Sequence, residues 1–194
     1  MADERTLVDL HAADLPWRSI TIPGSAPQVE LVRLHADART SASVSLVRFP
    51  AGWYRPGIGH YHCAELFVVL KGSIEVSGLH YAEGYYGYLP ARASRVDSRS
   101  REGCLAVAWF SGAPAWSAGP PSVPPDEAPR RGRFGVPRQL LDIGGGACRC
   151  DPVPAGPVAV TTELLWPESG KWCLVPSGAV PPLLPGSALL RRWP

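Results

Sequence analysis

Residues 57–72 read Gly-Ile-Gly-His60-Tyr-His62-Cys-Ala-Glu65-Leu-Phe-Val-Val-Leu-Lys-Gly72 and hold the densest set of groups able to do chemistry. Side chains alternate along a β-strand, so two histidines one residue apart share a face. A carboxylate follows three positions later, ahead of an apolar run. Imidazole nitrogen and carboxylate oxygen are donors that suit Zn, Fe, Ni, Mn or Cu in an apolar surround. His60, His62 and Glu65 are thus candidate ligands of a divalent ion carried on a β-scaffold. On an unbroken strand Glu65 has the wrong parity to face the same way as His62. A bulge or short turn between them would restore convergence.

This stretch resembles the first motif of the cupin superfamily, in which His-x-His, a short gap, Glu, six residues and Gly carry a metal inside a β-barrel. Leu66 to Lys71 supply the six residues here. A second stretch, Gly84-Tyr-Tyr-Gly-Tyr-Leu-Pro90-Ala-Arg92-Ala-Ser-Arg95, keeps the second motif's glycine, five residues and proline. It departs twice. Arg92 stands where the family usually has glycine, and Arg95 where it has the last metal-binding histidine. Arginine stays protonated and offers only donors, so it cannot ligate a metal. The resemblance covers residues from about 25 to 112 and implies a cupin-type double-stranded β-helix, a jelly-roll barrel.

Two readings of the departure follow. In the first, His60, His62 and Glu65 form a two-histidine-one-carboxylate set with open positions for O₂, water or substrate. Arg95 then meets an anionic or carbonyl oxygen of the substrate, and Tyr86 and Tyr88 contribute to the wall. In the second, the metal site has decayed and Arg95 pairs with Glu65, filling the cavity with an ion pair. Burying two histidines and a carboxylate without partners is costly, which favours the first.

The other histidines and cysteines carry less. His80 precedes the Glu83-Gly84 turn and reads as a surface residue, and His11 and His35 have no ligand spacing. Cys63 follows His62 and faces away from the pocket on a regular strand, as a small buried apolar residue. Cys148 and Cys150 form a Cys-x-Cys with no second pair nearby, which does not make a closed zinc site.

Composition excludes several function classes. The chain has 194 residues, 45% hydrophobic and 19% charged, as in a soluble globular protein of one or two small domains. A net charge of +2 is too slight for a nucleic-acid partner. Met1-Ala-Asp-Glu-Arg5 is not a signal-peptide start and no run approaches membrane-span length. Five cysteines, an odd count without a framework, fit a reducing cytoplasm. Two lysines against seventeen arginines, with abundant Ala, Gly and Pro, suggest a GC-rich bacterial genome.

Strands dominate the elements that must position these residues. Runs at 29–34, 44–49, 65–70, 73–76, 85–89 and 105–110 are β-branched or aromatic and punctuated by Gly, Pro and Ser. Lys71-Gly72 reads as a tight hairpin, with glycine supplying positive φ. The run 65–70 is apolar on both faces beyond Glu65, so its outer face needs cover from another sheet, the C-terminal segment or a second subunit. A homodimer is expected on that ground. The expected fold is all-β: a barrel domain over 1–115, a Pro/Gly-rich linker or strap over 116–135, and a β-rich C-terminal extension or shortened second cupin half over 136–194.

The resemblance implies a metal-dependent enzyme acting on a small organic substrate in bacterial metabolism. Fe(II) is the first expectation for the ion, with Zn, Ni or Mn next. Oxygenase chemistry of the dioxygenase kind leads, and metal-assisted cyclisation or isomerisation follows. The alternative is a non-catalytic small-molecule-binding or sensory cupin with a degenerate metal site. The fold hosts both, so the site must decide.

Overall fold

The computed structural model describes residues 7–134, 141–143, 146–151 and 153–193. The start Met1-Ala-Asp-Glu-Arg5 and the expected boundary at 135–136 lie outside these residues, and so do the side chains of Cys148 and Cys150. Among the described residues there are strands and no helix, so none is long and apolar enough to cross a membrane. In chain order the strands are β1 (Val8–Asp9), β2 (Arg18–Ile20), β3 (Val29–Ala36), β4 (Ser43–Phe49), β5 (Trp53–Tyr61) and β6 (Glu65–Val76). Next come β7 (Leu79–Ala82), β8 (Tyr85–Leu89), β9 (Arg95–Ser100), β10 (Cys104–Phe110), β11 (Trp116–Ala118) and β12 (Arg130–Arg133). The last are β13 (Leu141–Ile143), β14 (Gly146–Asp151), β15 (Thr162–Trp166), β16 (Lys171–Val175) and β17 (Ala188–Arg192).

The chain divides into two units, Pro16–Arg133 and Met1–Leu15 with Phe134–Pro194. The described residues 7–15 group with the C-terminal residues. The larger unit is one antiparallel sheet in the order β11-β5-β9-β6-β10-β4-β3-β2, with β7 and β8 also on β6 and β12 on β8. It curls into a jelly-roll barrel. The inner face gathers Val29, Val47, Trp53, Phe67, Val69, Ile74, Tyr81, Leu89 and Ala106 into a buried core. The smaller unit is a separate sheet, β1-β16-β15-β17-β14-β13, with its own core of Leu164, Trp166, Cys173, Val175 and Leu190. There β15 and β16 form a hairpin across the 167–170 turn.

Two sequence expectations change on contact with the structure. The expected hairpin at Lys71-Gly72 is instead the interior of one twelve-residue strand, β6. Lys71 pairs with Leu105 while Val69 pairs with Ala106, so Leu70 bulges, and Gly72 takes φ +73. A Cβ on Gly72 would lie 2.3 Å from the Gly103 carbonyl oxygen. Glycine therefore serves a bulge that bends β6 from β8 and β10 toward β7 and β9, not a reversal.

The outer face of β6 is covered, as its apolar pattern requires: Leu66 and Val68 are fully buried, as are Val44, Leu46, Val107 and Trp109 on β4 and β10. The second change is in the segment 116–133. Its proline-free ends pair, β11 with β5 and β12 with β8, while Pro120, Pro121, Pro124, Pro125 and Pro129 lie between them. Proline cannot donate to a ladder, so the middle stays unpaired and the segment becomes a strap stitched to the barrel at both ends.

Candidate functional site

The site is set by which face of β5 looks inward. Trp53, Arg55 and Tyr61 line an internal cavity of about 50 Å³, together with Glu65 at the start of β6, Arg95 at the start of β9, and Ser98. Ile22, Phe49, Phe67, Ile74, Val76, Leu89, Ala106 and Ala108 complete the walls. The space holds a few water-sized centres, well short of the 300–1,000 Å³ clefts that take drug-sized ligands. Arg55 and Ile58 pair with Ser98 and Val96 respectively, so the β5–β9 register shifts between them. Beyond that shift, Tyr61 pairs with Trp116 and His60 with Ser117. Tyr61 thus takes the cavity face and the histidines take the other.

His60 and His62 do share a face, with ring centroids 5.3 Å apart. That face turns to the strap. His60 Nδ1 donates to the Gly119 carbonyl at 3.2 Å, and His62 Nε2 lies 2.7 Å from Ser117 Oγ. Glu65 lies on the cavity side, where Arg95 Nη2 donates to its Oε2 at 2.8 Å. As placed here, the three residues do not fit the divalent ion that the motif implies. The donors lie on different sides of the strand pair, and the carboxylate already accepts from a guanidinium. Among the described residues no three His, Cys, Asp or Glu side chains form a metal-binding group.

Arg95 lines the cavity, with a side chain only 1% exposed. It also donates to the Ala93 carbonyl at 3.1 Å and lies 4.7 Å from the Tyr61 ring centroid. Its Nε is buried without an acceptor. Burial, with the Glu65 charge as a smaller influence, raises the Tyr61 phenol above its ordinary range. Tyr86 and Tyr88 do not line the cavity. Leu89 faces inward, so Tyr88 and Tyr86 face outward to the strap. There Tyr88 Oη donates to Glu127 Oε1 at 2.5 Å, and the Tyr86 ring crowds Gly132.

Arg55, Tyr61 and Trp116 escaped the sequence reading. Arg55 is 6% exposed, and its Nη1 and Nη2 donate to Tyr61 Oη at 3.2 Å and Ser98 Oγ at 3.5 Å. Its guanidinium lies 3.8 Å from the Trp116 ring centroid. Trp116 reaches that position because Gly59 leaves room, since a Cβ there would stand 2.1 Å from Trp116 Cζ2. Burying an unpaired ion costs several kcal/mol. A cation–π contact returns about 0.5–2 kcal/mol and a hydrogen bond from a charged donor about 1.5–3 kcal/mol. These returns are of the same order as the desolvation cost, but every one of these partners is neutral, so the charge of Arg55 is not cancelled within the cavity. The signal available in sequence was the Trp53-x-Arg55 alternation, legible only with β5 recognised as a strand.

Arg92, the other departure in the second motif, takes φ +66. That left-handed conformation explains the glycine usual at this point of the motif. Its backbone N–H donates to the Tyr61 carbonyl, and its side chain pairs with Asp126 of the strap at 2.9 Å.

Comparison with known proteins agrees with this architecture. The family described as the ChrR cupin-like domain matches residues 5–111. No curated protein matches the chain. Among solved structures, a Nostoc punctiforme PCC 73102 protein named as a dioxygenase is 12% identical with TM-score 0.69, covering 95% of this chain and 80% of that one. A Pseudomonas aeruginosa protein named as glyoxylate-induced is 12% identical with TM-score 0.54, covering 90% and 83%. Ylba from E. coli is 14% identical with TM-score 0.50, covering 96% and 85%. At these identities the likeness is one of fold. With its family match across more than half of the sequence, the chain belongs to the ChrR cupin-like family of the cupin superfamily.

Proposed function

We propose that this protein is a small-molecule-binding cupin whose barrel holds its ligand without a metal ion. The observation that carries the reading is the 2.8 Å ion pair between Arg95 and Glu65. Glu65 is the one carboxylate lining the cavity among the described residues, and this pairing takes it away from any ion. The histidines that would complete a ligand set bond to the strap instead. The metal-dependent oxygenase, cyclase or isomerase chemistry implied by the first motif needs these donors to converge, and no step of it is assigned to this chain. What the cavity offers is a compact apolar chamber with fixed guanidinium and phenol groups at one side. Such a chamber selects by size and charge.

A thermal-shift screen of small organic molecules on the full chain, with and without a chelator, tests this. At about a hundredfold excess over Kd, a bound ligand raises Tm by roughly 5–10 °C for a chain of this size. The expected shift is unchanged by the chelator. Stabilisation that appears only when Fe(II), Zn, Ni or Mn is added contradicts the reading.

A further inference from the structure

Two guanidiniums line the cavity, those of Arg55 and Arg95, and one carboxylate, that of Glu65. Arg95 and Glu65 neutralise one another. The partners of Arg55 are a phenol, a serine hydroxyl and an indole ring, all of them neutral. Two positive groups against one negative leave the chamber one charge positive, at a residue 6% exposed. Arginine cannot shed its proton to escape this, as a buried lysine or histidine can. Arg95 adds a buried Nε with no acceptor. Both guanidiniums lie within 6 Å of the Tyr61 ring centroid, at 5.6 and 4.7 Å, so one small group beside Tyr61 is within reach of both.

Resting on the metal-free reading above, we infer that the ligand is a small organic monocarboxylate, its head on Arg55 beside Tyr61 and its carbon chain against the apolar wall. Charge balance selects a monoanion, since a second negative charge would meet Glu65. The planar carboxylate matches the two-pronged donor geometry of arginine. The walls contributed by Ile22, Phe67, Leu89 and Ala106 suit carbon rather than a fully hydrated inorganic anion. A cavity of about 50 Å³ has room for roughly four water-sized centres, which fits an acid of two to four carbons. Trp116, stacked on Arg55, forms the strap-side cover of the head group.

Calorimetric titration of the chelator-treated full chain tests this, using acetate, propionate, butyrate and pyruvate against propionamide and inorganic phosphate at constant ionic strength. The expected result is saturable binding of at least one carboxylate and none of propionamide or phosphate. Arg55→Met, which removes the buried charge and keeps an apolar side chain, is expected to weaken binding by at least about thirtyfold in the folded protein. If that variant does not fold, Arg55→Lys answers in its place, keeping the charge without the fork and weakening binding about tenfold. Undiminished binding in the folded variants, or equal binding of propionamide, overturns the inference and leaves a metal-free chamber standing. Preference for phosphate, or no binding of any carboxylate, also overturns it. Carboxylate binding that returns only with added Zn or Fe(II) overturns the metal-free reading as well.

Discussion

Arg95 and Glu65 meet inside the barrel at 2.8 Å, and no carboxylate other than Glu65 lines the cavity among the described residues. Breaking such a pair from one side strands the other charge, at a cost of about 3–5 kcal/mol, whereas replacing both partners by groups of similar volume is often neutral. Arg95→Met alone is therefore expected to lower unfolding stability by several kcal/mol. The Arg95→Met/Glu65→Gln double variant should recover most of that loss. Denaturant melts of the four proteins in the cycle measure it. Additive losses would mean that the two groups do not depend on each other.

Arg92 sets a backbone preference against a side-chain contact. Its φ of +66 costs any residue with a Cβ about 1 kcal/mol, while its part-exposed pair with Asp126 returns about 0–1 kcal/mol. Arg92→Gly removes both terms and should leave stability within about 1 kcal/mol of wild type. Arg92→Ala keeps the strain and loses the pair, so it should be less stable than Arg92→Gly by about 1 kcal/mol. Thermal melts of the two variants check the order, and Ala above Gly would contradict it.

The buried thiols give a pH-dependent prediction. Burial pushes Cys104 up to about 12, and burial with the nearby Glu163 charge pushes Cys173 up to about 12. At pH 8 only about one part in ten thousand of each is thiolate, the reactive form. Neither should react with a thiol reagent until the chain unfolds, as peptide mapping after labelling would show. The unfolded thiol ionises near 9.0, so from there upward the unfolded state binds fewer protons than the folded one. Stability from this source is complete below pH 9 and falls as pH rises toward 12. Rapid labelling of Cys104 or Cys173 in the folded chain at pH 8 would contradict the burial.

In the smaller unit, Glu163 is fully buried and accepts from the indole N–H groups of Trp172 and Trp193 at 2.6 and 3.1 Å. Glu163→Ala removes the carboxylate that accepts from both indoles and should cost several kcal/mol of stability. Glu163→Gln keeps one acceptor and should cost less. Chemical denaturation monitored by tryptophan fluorescence separates the two, and equal losses would mean that the indole bonds contribute nothing.

The fold was legible where strands are continuous and apolar, as in β4, β10 and the first half of β6, and where the cupin motifs fix a register. It was not legible in β5 and β9. Trp53–Tyr61 carries Arg, Pro, two Gly and His, and Arg95–Ser100 is half charged, so neither shows a simple period of two. Pairing on both sides of β5, not propensity, makes it a strand. That gap decided the site. The spacing of His60 and His62 puts them on one face, but a one-residue change of register decides which face is wet. The same parity governs Tyr86 and Tyr88, which look outward to the strap while Leu89 looks in. Arg95 and Glu65 could be paired from the motif positions alone, as one of two readings. Arg55 and Trp116 could not be found that way, because their contact joins a strand to a proline-rich strap 61 residues away in sequence.

Elemental analysis of metal in the purified full chain, alongside Arg95→His and His60→Ala/His62→Ala, tests the central claim most directly. The account predicts transition metal far below one equivalent in all three. Restoring a histidine at position 95 does not create a site while His60 and His62 face the strap. Near-stoichiometric metal in the wild type that disappears in the double variant would contradict it, and would place His60, His62 and Glu65 back around an ion.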